Sequence, residues 1–208
     1  MNPDTALLFS INDLARATGW LHPVVLGYAS YGVVVFAGLL LAGWWTARQR
    51  GELTAITAAV WAPVGMLLAL GINQPIVAIV GEPRPYTLHP DILVLAQHSL
   101  DPSFPSDHAV MAGSVTAGVF LLSRRLGVLS TVAAVVMAFA RVYIGAHYPQ
   151  DVLAGLLLGA AVSIIGYLLA HRLLARLITA LQTTAARPLL TKAPAVGEQR
   201  PVNQRMAS

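Results

Sequence analysis

Apolar runs about twenty residues long alternate with short polar blocks along this chain. Crossing a bilayer as a helix takes roughly 20 apolar residues. Five runs meet or approach that length: residues 21–47, 53–80, 108–123, 127–145 and 152–170. The third is short for a crossing and is expected to start inside the preceding loop. Pro63 and Pro75 interrupt the second, which a membrane helix tolerates where neighbours satisfy the freed carbonyls. Asn73 and Gln74 beside them suit either interhelical hydrogen bonding or the lining of a cleft. Residues 3–18 place Leu7, Leu8, Ile11 and Leu14 at helical spacing, with Asn12, Asp13 and Arg16 elsewhere. That spacing predicts a short helix, either lying in the membrane interface or packed on the bundle. The whole pattern predicts an all-α integral membrane protein, a bundle of five or six helices with an N-terminal interfacial helix. Residues 1–20 would form that helix, 21–181 the transmembrane domain, and 182–208, rich in Pro, Ala, Gln and Arg, a disordered cytoplasmic tail. No internal repeat marks a transporter built from duplicated halves.

Composition supports this reading. Of 208 residues, 56% are hydrophobic and 11% charged, with mean hydropathy +0.67. An ordinary soluble domain is neither so apolar nor so poor in charge. The formal charge of +4 is gathered in pairs: Arg48 with Arg50, Arg124 with Arg125, and Arg172 with Arg176. Such pairs at alternate span ends are the positive-inside signature, which puts those ends in the cytoplasm. The N-terminus then lies outside, the C-terminus inside, and the links over residues 81–107 and 147–150 outside. No basic stripe carries interleaved aromatics, so nucleic acid is not an expected partner. Trp44 and Trp45 fit an aromatic belt, and Arg187, Lys192, Arg200 and Arg205 are placed to meet anionic headgroups. The chain has no cysteine, which excludes disulfides and thiolate metal sites. No basic segment precedes the first apolar run and Asp4 and Asp13 interrupt it, so no cleaved signal peptide is expected.

Three polar blocks carry the candidate chemistry, all on the outer side: Glu82-Pro83-Arg84-Pro85, Pro105-Ser106-Asp107-His108, and Arg141 followed by His147 and Asp151. An arginine beside lipid is costly unless it faces a polar cavity, and a guanidinium fork suits phosphate oxygens. Arg84 and Arg141 are therefore candidate phosphate ligands, with snorkelling or ion pairing to Asp151 or Glu82 as the plainer alternative. Ser106 begins a helix, and the first-turn amides of Asp107 and His108 form an anion cradle, or simply a capped helix. His147 and Asp151, four apart, share a helix face. The carboxylate would hold one ring nitrogen and present the other as nucleophile. His108 would protonate the leaving oxygen and then activate water. The arginines supply the charge, so no metal or other cofactor is required. A zinc site built on the two histidines and the carboxylate is disfavoured by the neighbouring guanidiniums. His22 and His171 are read as facing headgroups, and His89 and His98 as outer-loop residues.

With these blocks in place the chain resembles the type 2 phosphatidate phosphatase superfamily of membrane lipid phosphatases, related in fold to vanadium haloperoxidases. That family shows K-x-x-x-x-x-x-R-P, P-S-G-H and S-R-x-x-x-x-x-H-x-x-x-D in order. Here Arg84-Pro85, Pro105-Ser106-Asp107-His108 and Arg141…His147…Asp151 stand in that order, over roughly residues 73–155. The resemblance implies His147 as nucleophile, Asp151 as its orienter, His108 as acid and base, and Arg84, Ser106 and Arg141 on phosphate, with Asp107 beside them and Glu82 as an accessory acid. Three positions depart from the pattern: Val77 replaces the lysine, Asp107 the glycine and Ala140 the serine. Glu-Pro-Arg-Pro, Pro-Ser-Asp-His and His147-Tyr148-Pro149-Gln150-Asp151 are similar to the bacitracin-resistance type of undecaprenyl-diphosphatase. This likeness implies a bacterial inner-membrane enzyme that removes one phosphate from a polyprenyl diphosphate, recycling the cell-wall carrier lipid. Phosphatidate or phosphatidylglycerophosphate phosphatase is the alternative within the class. A non-catalytic lipid-phosphate binder or transporter is the alternative outside it.

Overall fold

The computed structural model describes residues 2–192, and among these no strand occurs. The elements are α1 (Pro3–Ala17), a 3-10 turn (Gly19–Leu21), α2 (His22–Tyr31), α3 (Val33–Arg50), α4 (Leu53–Val80), α5 (Pro85–Leu88), α6 (Asp107–Leu122), α7 (Arg124–Tyr143), α8 (Pro149–Leu181) and α9 (Arg187–Leu190). The segment Leu53–Leu88, α7 and α8 are long and apolar enough to cross a membrane, and Gly19–Tyr31 with α3, bent by 53° at the break between them, meets the same criterion only as a pair. The third expected span is α6, a shorter apolar helix of 16 residues that sits centrally against α4, α7 and α8.

The first span was expected as one helix and is two. The break falls at Gly32, where a Cβ would lie 2.5 Å from the Tyr28 carbonyl oxygen and 2.6 Å from Met137 Cε. Apolarity predicts a crossing but says nothing of straightness; here α7 presses on the joint. Pro63 and Pro75 leave α4 continuous. The last span outruns its expected end at residue 170: at 33 residues α8 is about 50 Å long. Its final turns, with Arg172 and Arg176, therefore extend beyond the roughly 30 Å apolar layer.

The N-terminal helix packs differently from the pattern's first suggestion. Its buried stripe is Leu8, Asn12 and Ala15, whereas Leu7 and Leu14 are about half exposed, at 50% and 45%. Asn12, expected on the polar face, therefore points inward. The helix packs on α7 and α8 and still offers an apolar edge outward. The expected disordered tail begins just past Leu181. Its first residues form a turn and α9, tied to α3 by Trp44 Nε1 donating to the Leu189 carbonyl (2.9 Å) and Arg48 Nε to that of Pro188 (2.6 Å). The rest of the expected tail, residues 193–208, lies outside the described residues.

Close α6–α8 packing sets the register of the site. A Cβ on Gly113 would strike the Leu156 carbonyl, one on Gly159 the Val110 carbonyl, and one on Gly155 would lie 2.8 Å from the Ser106 carbonyl oxygen. Small residues are what let membrane helices approach this closely. The N-terminus of α6 is thereby laid against that of α8, and the Ser106 N–H donates to the Asp151 carbonyl (3.2 Å). The bundle has two distinct ends. One core cluster joins Ala47, Ala55, Leu122 and Ile178 beside the arginine pairs. Others, built on Tyr143, Ile144 and Ala146 and on Leu8, Val142, Tyr148 and Val152, lie at the opposite end with the polar blocks.

Candidate active site

His147 stands in the loop between α7 and α8, 3% exposed. Its Nδ1–H donates to the Ser103 carbonyl (2.9 Å), with Asp151 Oδ2 at 3.5 Å. The other nitrogen, Nε2, is approached by Arg141 Nη2 at 3.2 Å and Arg84 Nη1 at 3.4 Å. One side of the ring is fixed by oxygen acceptors and the other looks at two cations. Burial first, and then the charges of Arg141 and Arg84, push its pKa well below the ordinary 6.5. Both effects penalise the imidazolium, so the ring is neutral at neutral pH with a free electron pair on Nε2.

Each arginine is oriented by backbone. Arg84 donates Nε to the Asp101 carbonyl (2.9 Å) and Nη1 to that of Ala146 (3.0 Å). Arg141 reaches the Ala29 carbonyl from Nη1 (3.5 Å), while its buried Nε has no partner. The ion pairs with Glu82 or Asp151 that stood as the plainer alternative do not form. The Glu82 carboxylate accepts from Gln150 Nε2 (2.8 Å), and the Glu82 carbonyl accepts from the Ser103 N–H (2.7 Å). Burial first and the charge of Asp151 next raise the Glu82 pKa.

A cavity of about 340 Å³ is lined by Arg84, Arg141, His108, His147, Asp107 and Val77, among others. A second, of about 690 Å³, adjoins it and shares Arg84, His108 and Arg141, with Leu26, Tyr31 and Leu95 on its apolar side. Five of the eight expected site residues thus face one cavity. Asp151 and Ser106, both fully buried, lie behind it, and Glu82 lies off the lining. Ser106 occupies the N-cap of α6 but makes no side-chain cap bond, and its Oγ has no partner. Asp107 Oδ1 accepts from Asn73 Nδ2 (2.7 Å) and Gln74 Nε2 (3.1 Å). The two polar residues of α4 therefore do both jobs considered for them: they join helices, and Gln74 also lines the cavity.

The residue the pattern missed is Ser103. Its carbonyl holds His147 and its Oγ donates to Asp151 Oδ2. It lies three positions before Ser106 in the same polar block, and its distance from His147 in sequence hid the contact. Asp151 also accepts from the Tyr148 N–H (2.8 Å), so it fixes the Ser103 and Tyr148 segments more closely than it touches the ring. Among the described residues no three His, Asp or Glu side chains gather as metal ligands. The remaining histidines are engaged outside the cavities: His22 with the Ala15 carbonyl, His171 with that of Tyr167, His98 stacked on Tyr86 and His89 against Phe9 and Tyr148.

The chain is 29% identical over 159 residues, 76% of its length and 78% of the relative's, to undecaprenyl-diphosphatase BcrC of Bacillus subtilis. It is 39% identical over 162 residues, 77% of its length and 82% of the relative's, to decaprenylphosphoryl-5-phosphoribose phosphatase of Mycobacterium tuberculosis. A solved PAP2 type phosphatidylglycerolphosphate phosphatase from Bacillus subtilis superposes with a TM-score of 0.56 at 23% identity, covering 79% of this chain and 85% of that one, which shows a shared fold. Residues 58–175, more than half the chain and all three polar blocks, match the family model described as PAP2 superfamily, and the chain belongs to that superfamily.

Proposed function

We propose that this membrane phosphatase removes the terminal phosphate of a polyprenyl diphosphate through a phosphohistidine. The observation that carries the reading is His147 Nε2, neutral and directed between two guanidiniums at 3.2 and 3.4 Å. Nε2 attacks phosphorus; the P–N bond forms as the P–O bond to the leaving lipid phosphate breaks. Arg84, Arg141 and the first-turn amides of Asp107 and His108 stabilise the three equatorial oxygens, with Ser106, buried behind the cavity, outside this set. His108, bordering both cavities and charged once the bound diphosphate anion offsets Arg84 and Arg141, gives its proton to the leaving oxygen. It then takes one from the water that attacks phosphorus and releases Nε2. Ser103 and Asp151 keep Nδ1–H turned away throughout.

Two adjoining cavities that meet at the arginines suit a substrate with a polar group on either side of the reacting bond. The Bacillus subtilis relative named undecaprenyl-diphosphatase supports the diphosphate, and the apolar wall of Leu26, Tyr31 and Leu95 supports a prenyl chain. The arginine pairs at the far end support a site on the extracytoplasmic side of a bacterial inner membrane. A second reading, a phosphate carried on a polyprenyl-linked sugar, is favoured by the 39% identical relative and by Ser30, Gln97 and Ser99 in the larger cavity.

The test is phosphate release by purified protein in detergent, comparing a polyprenyl diphosphate, a polyprenyl-phosphoryl sugar phosphate, phosphatidate and phosphatidylglycerophosphate. The diphosphate should give the highest kcat/KM, and His147→Ala should abolish release without unfolding the protein. Preference for the sugar phosphate selects the second reading. Preference for a glycerolipid rejects both, and full turnover by His147→Ala rejects the phosphohistidine.

A further inference from the structure

The N-terminal helix α1 lines neither cavity, yet it grips the chain on both sides of His147. Asn12, 1% exposed, spends its whole side chain on one residue: Nδ2 donates to the Leu93 carbonyl (2.8 Å) and Oδ1 accepts from the Leu93 N–H (2.9 Å). One turn on, Arg16 donates to the Asp91 carbonyl. The gripped segment continues to Leu95 and Ala96, whose N–H groups donate to the Ile144 carbonyl (3.0 and 3.3 Å). The Leu93 carbonyl oxygen also lies 2.9 Å from where a Cβ on Gly145 would stand. Gly145 has φ +76°, a conformation that favours glycine. Residues 93–96 thus form a brace behind the turn 144–146, and the next residue is His147.

The other end of α1 holds the far side. Asp4 Oδ1 accepts from the Gln150 N–H (2.7 Å) in the first turn of α8, a donor with no partner inside its own helix. Between the two grips, Leu8 packs with Val142, Tyr148 and Val152, and Ala15 with Tyr143, Ile144 and Ala146.

We infer that α1 is a splint for the nucleophile loop, with Asn12 and Asp4 as positioning residues that act on His147 through the 93–96 brace and the α8 first turn. In-line attack tolerates little error: a misplacement of about 1 Å can cost on the order of 10²-fold in rate. Asn12→Ala strands the Leu93 amide and carbonyl in a buried place and frees the brace. Of the two arginines only Arg84 leans on the braced turn, through the Ala146 carbonyl, so substrate binding loosens less than the attack geometry does.

The inference rests on His147 as nucleophile, a reading that fails if His147→Ala keeps full turnover, whereas the splint fails if Asn12→Ala does. The experiment measures kcat and KM for phosphate release by the full-length protein and its Asn12→Ala, Asp4→Ala, Gly145→Ala and Asn12→Ala/Gly145→Ala variants. Asn12→Ala should lower kcat roughly 10- to 100-fold with KM within about threefold, and Asp4→Ala should lower kcat a few-fold. The double variant should be no worse than its worse single, since both changes loosen one turn. If Asn12→Ala does not fold, Asp4→Ala, on a half-buried residue, carries the same kcat-against-KM comparison. Unchanged kcat in a folded variant, a loss carried by KM, or multiplying effects in the double variant would overturn the splint.

Discussion

The two ends of this bundle use the same side chain for opposite purposes. At one end Arg84 and Arg141 turn inward, their guanidiniums held by backbone carbonyls and aimed at His147 Nε2. At the other, Arg50, Arg124, Arg125, Arg172 and Arg176 are exposed in the pairs that orient a membrane protein. The first kind of arginine loses hydration and keeps a directed, partly unsatisfied charge, which is what a phosphoryl group neutralises. The second kind stays hydrated and acts by its count and its side. An arginine in a membrane protein is therefore read from what surrounds its guanidinium, not from its nearness to a span end.

The largest effect that tests this contrast is all-or-none. The chain has no cysteine, so single-cysteine variants report cleanly. In intact cells a membrane-impermeant maleimide should label Thr87→Cys, at the site end, and leave Gln49→Cys untouched. Reversed labelling would put the site in the cytoplasm and undo the positive-inside argument. Next in size is the arginine pair itself. Arg141→Ala should cost about 10²–10³-fold in kcat/KM, the usual scale for losing one transition-state donor, while Arg125→Ala should stay within about twofold. Similar losses from both would mean that the two ends are not functionally distinct.

The elements that carry this contrast were unequally legible in the sequence. Each span was visible because apolar length is a local property, and the motif residues were visible because each polar block is itself short. Arg84, Asp107, His108, Arg141 and His147 do line one cavity, as their grouping on one side suggested. Ser103 was not legible: it acts by a carbonyl oxygen, which every residue has, across 44 positions of chain. Asn12 misled in the other direction, since a polar residue on a short amphipathic helix normally faces water, and only the packed structure gives Leu93 as its buried partner. The bend at Gly32 was hidden because hydropathy does not distinguish a straight span from a broken one.

A smaller effect sharpens what inward-facing cations do to their neighbour. His147 is held neutral by burial first and by Arg141 and Arg84 next. Its folded pKa lies well below the ordinary 6.5, so the neutral form persists as the pH falls through that value. In protein carrying nitrogen-labelled histidine, the resonance lost in His147→Gln should still report neutral imidazole at pH 6. An imidazolium there would mean that the ring is hydrated or paired with an anion, contrary to the geometry of its Nε2 side.

The smallest effect belongs to Arg48, the arginine at the end away from the site that most resembles Arg84 in its bonding. It too donates to a backbone carbonyl, that of Pro188 (2.6 Å), and it lies 5.9 and 5.7 Å from the rings of Trp44 and Trp45. It borders neither of the two cavities that Arg84 lines. Its bonds tie α9 to α3, where a cation over an indole adds about 0.5–1 kcal/mol at an exposed site. Arg48→Gln should therefore lower the melting temperature in detergent by no more than a few degrees and leave phosphate release unchanged, whereas Arg84→Gln should do the reverse. The two substitutions remove the same charge, with one backbone hydrogen bond at Arg48 and two at Arg84, so a difference in turnover comes from the Ala146 bond beside His147 and from what else each guanidinium faces. If Arg48→Gln lowered kcat as Arg84→Gln does, carbonyl-held arginines at either end would be coupled through the bundle, and the separation of topology from chemistry would not stand.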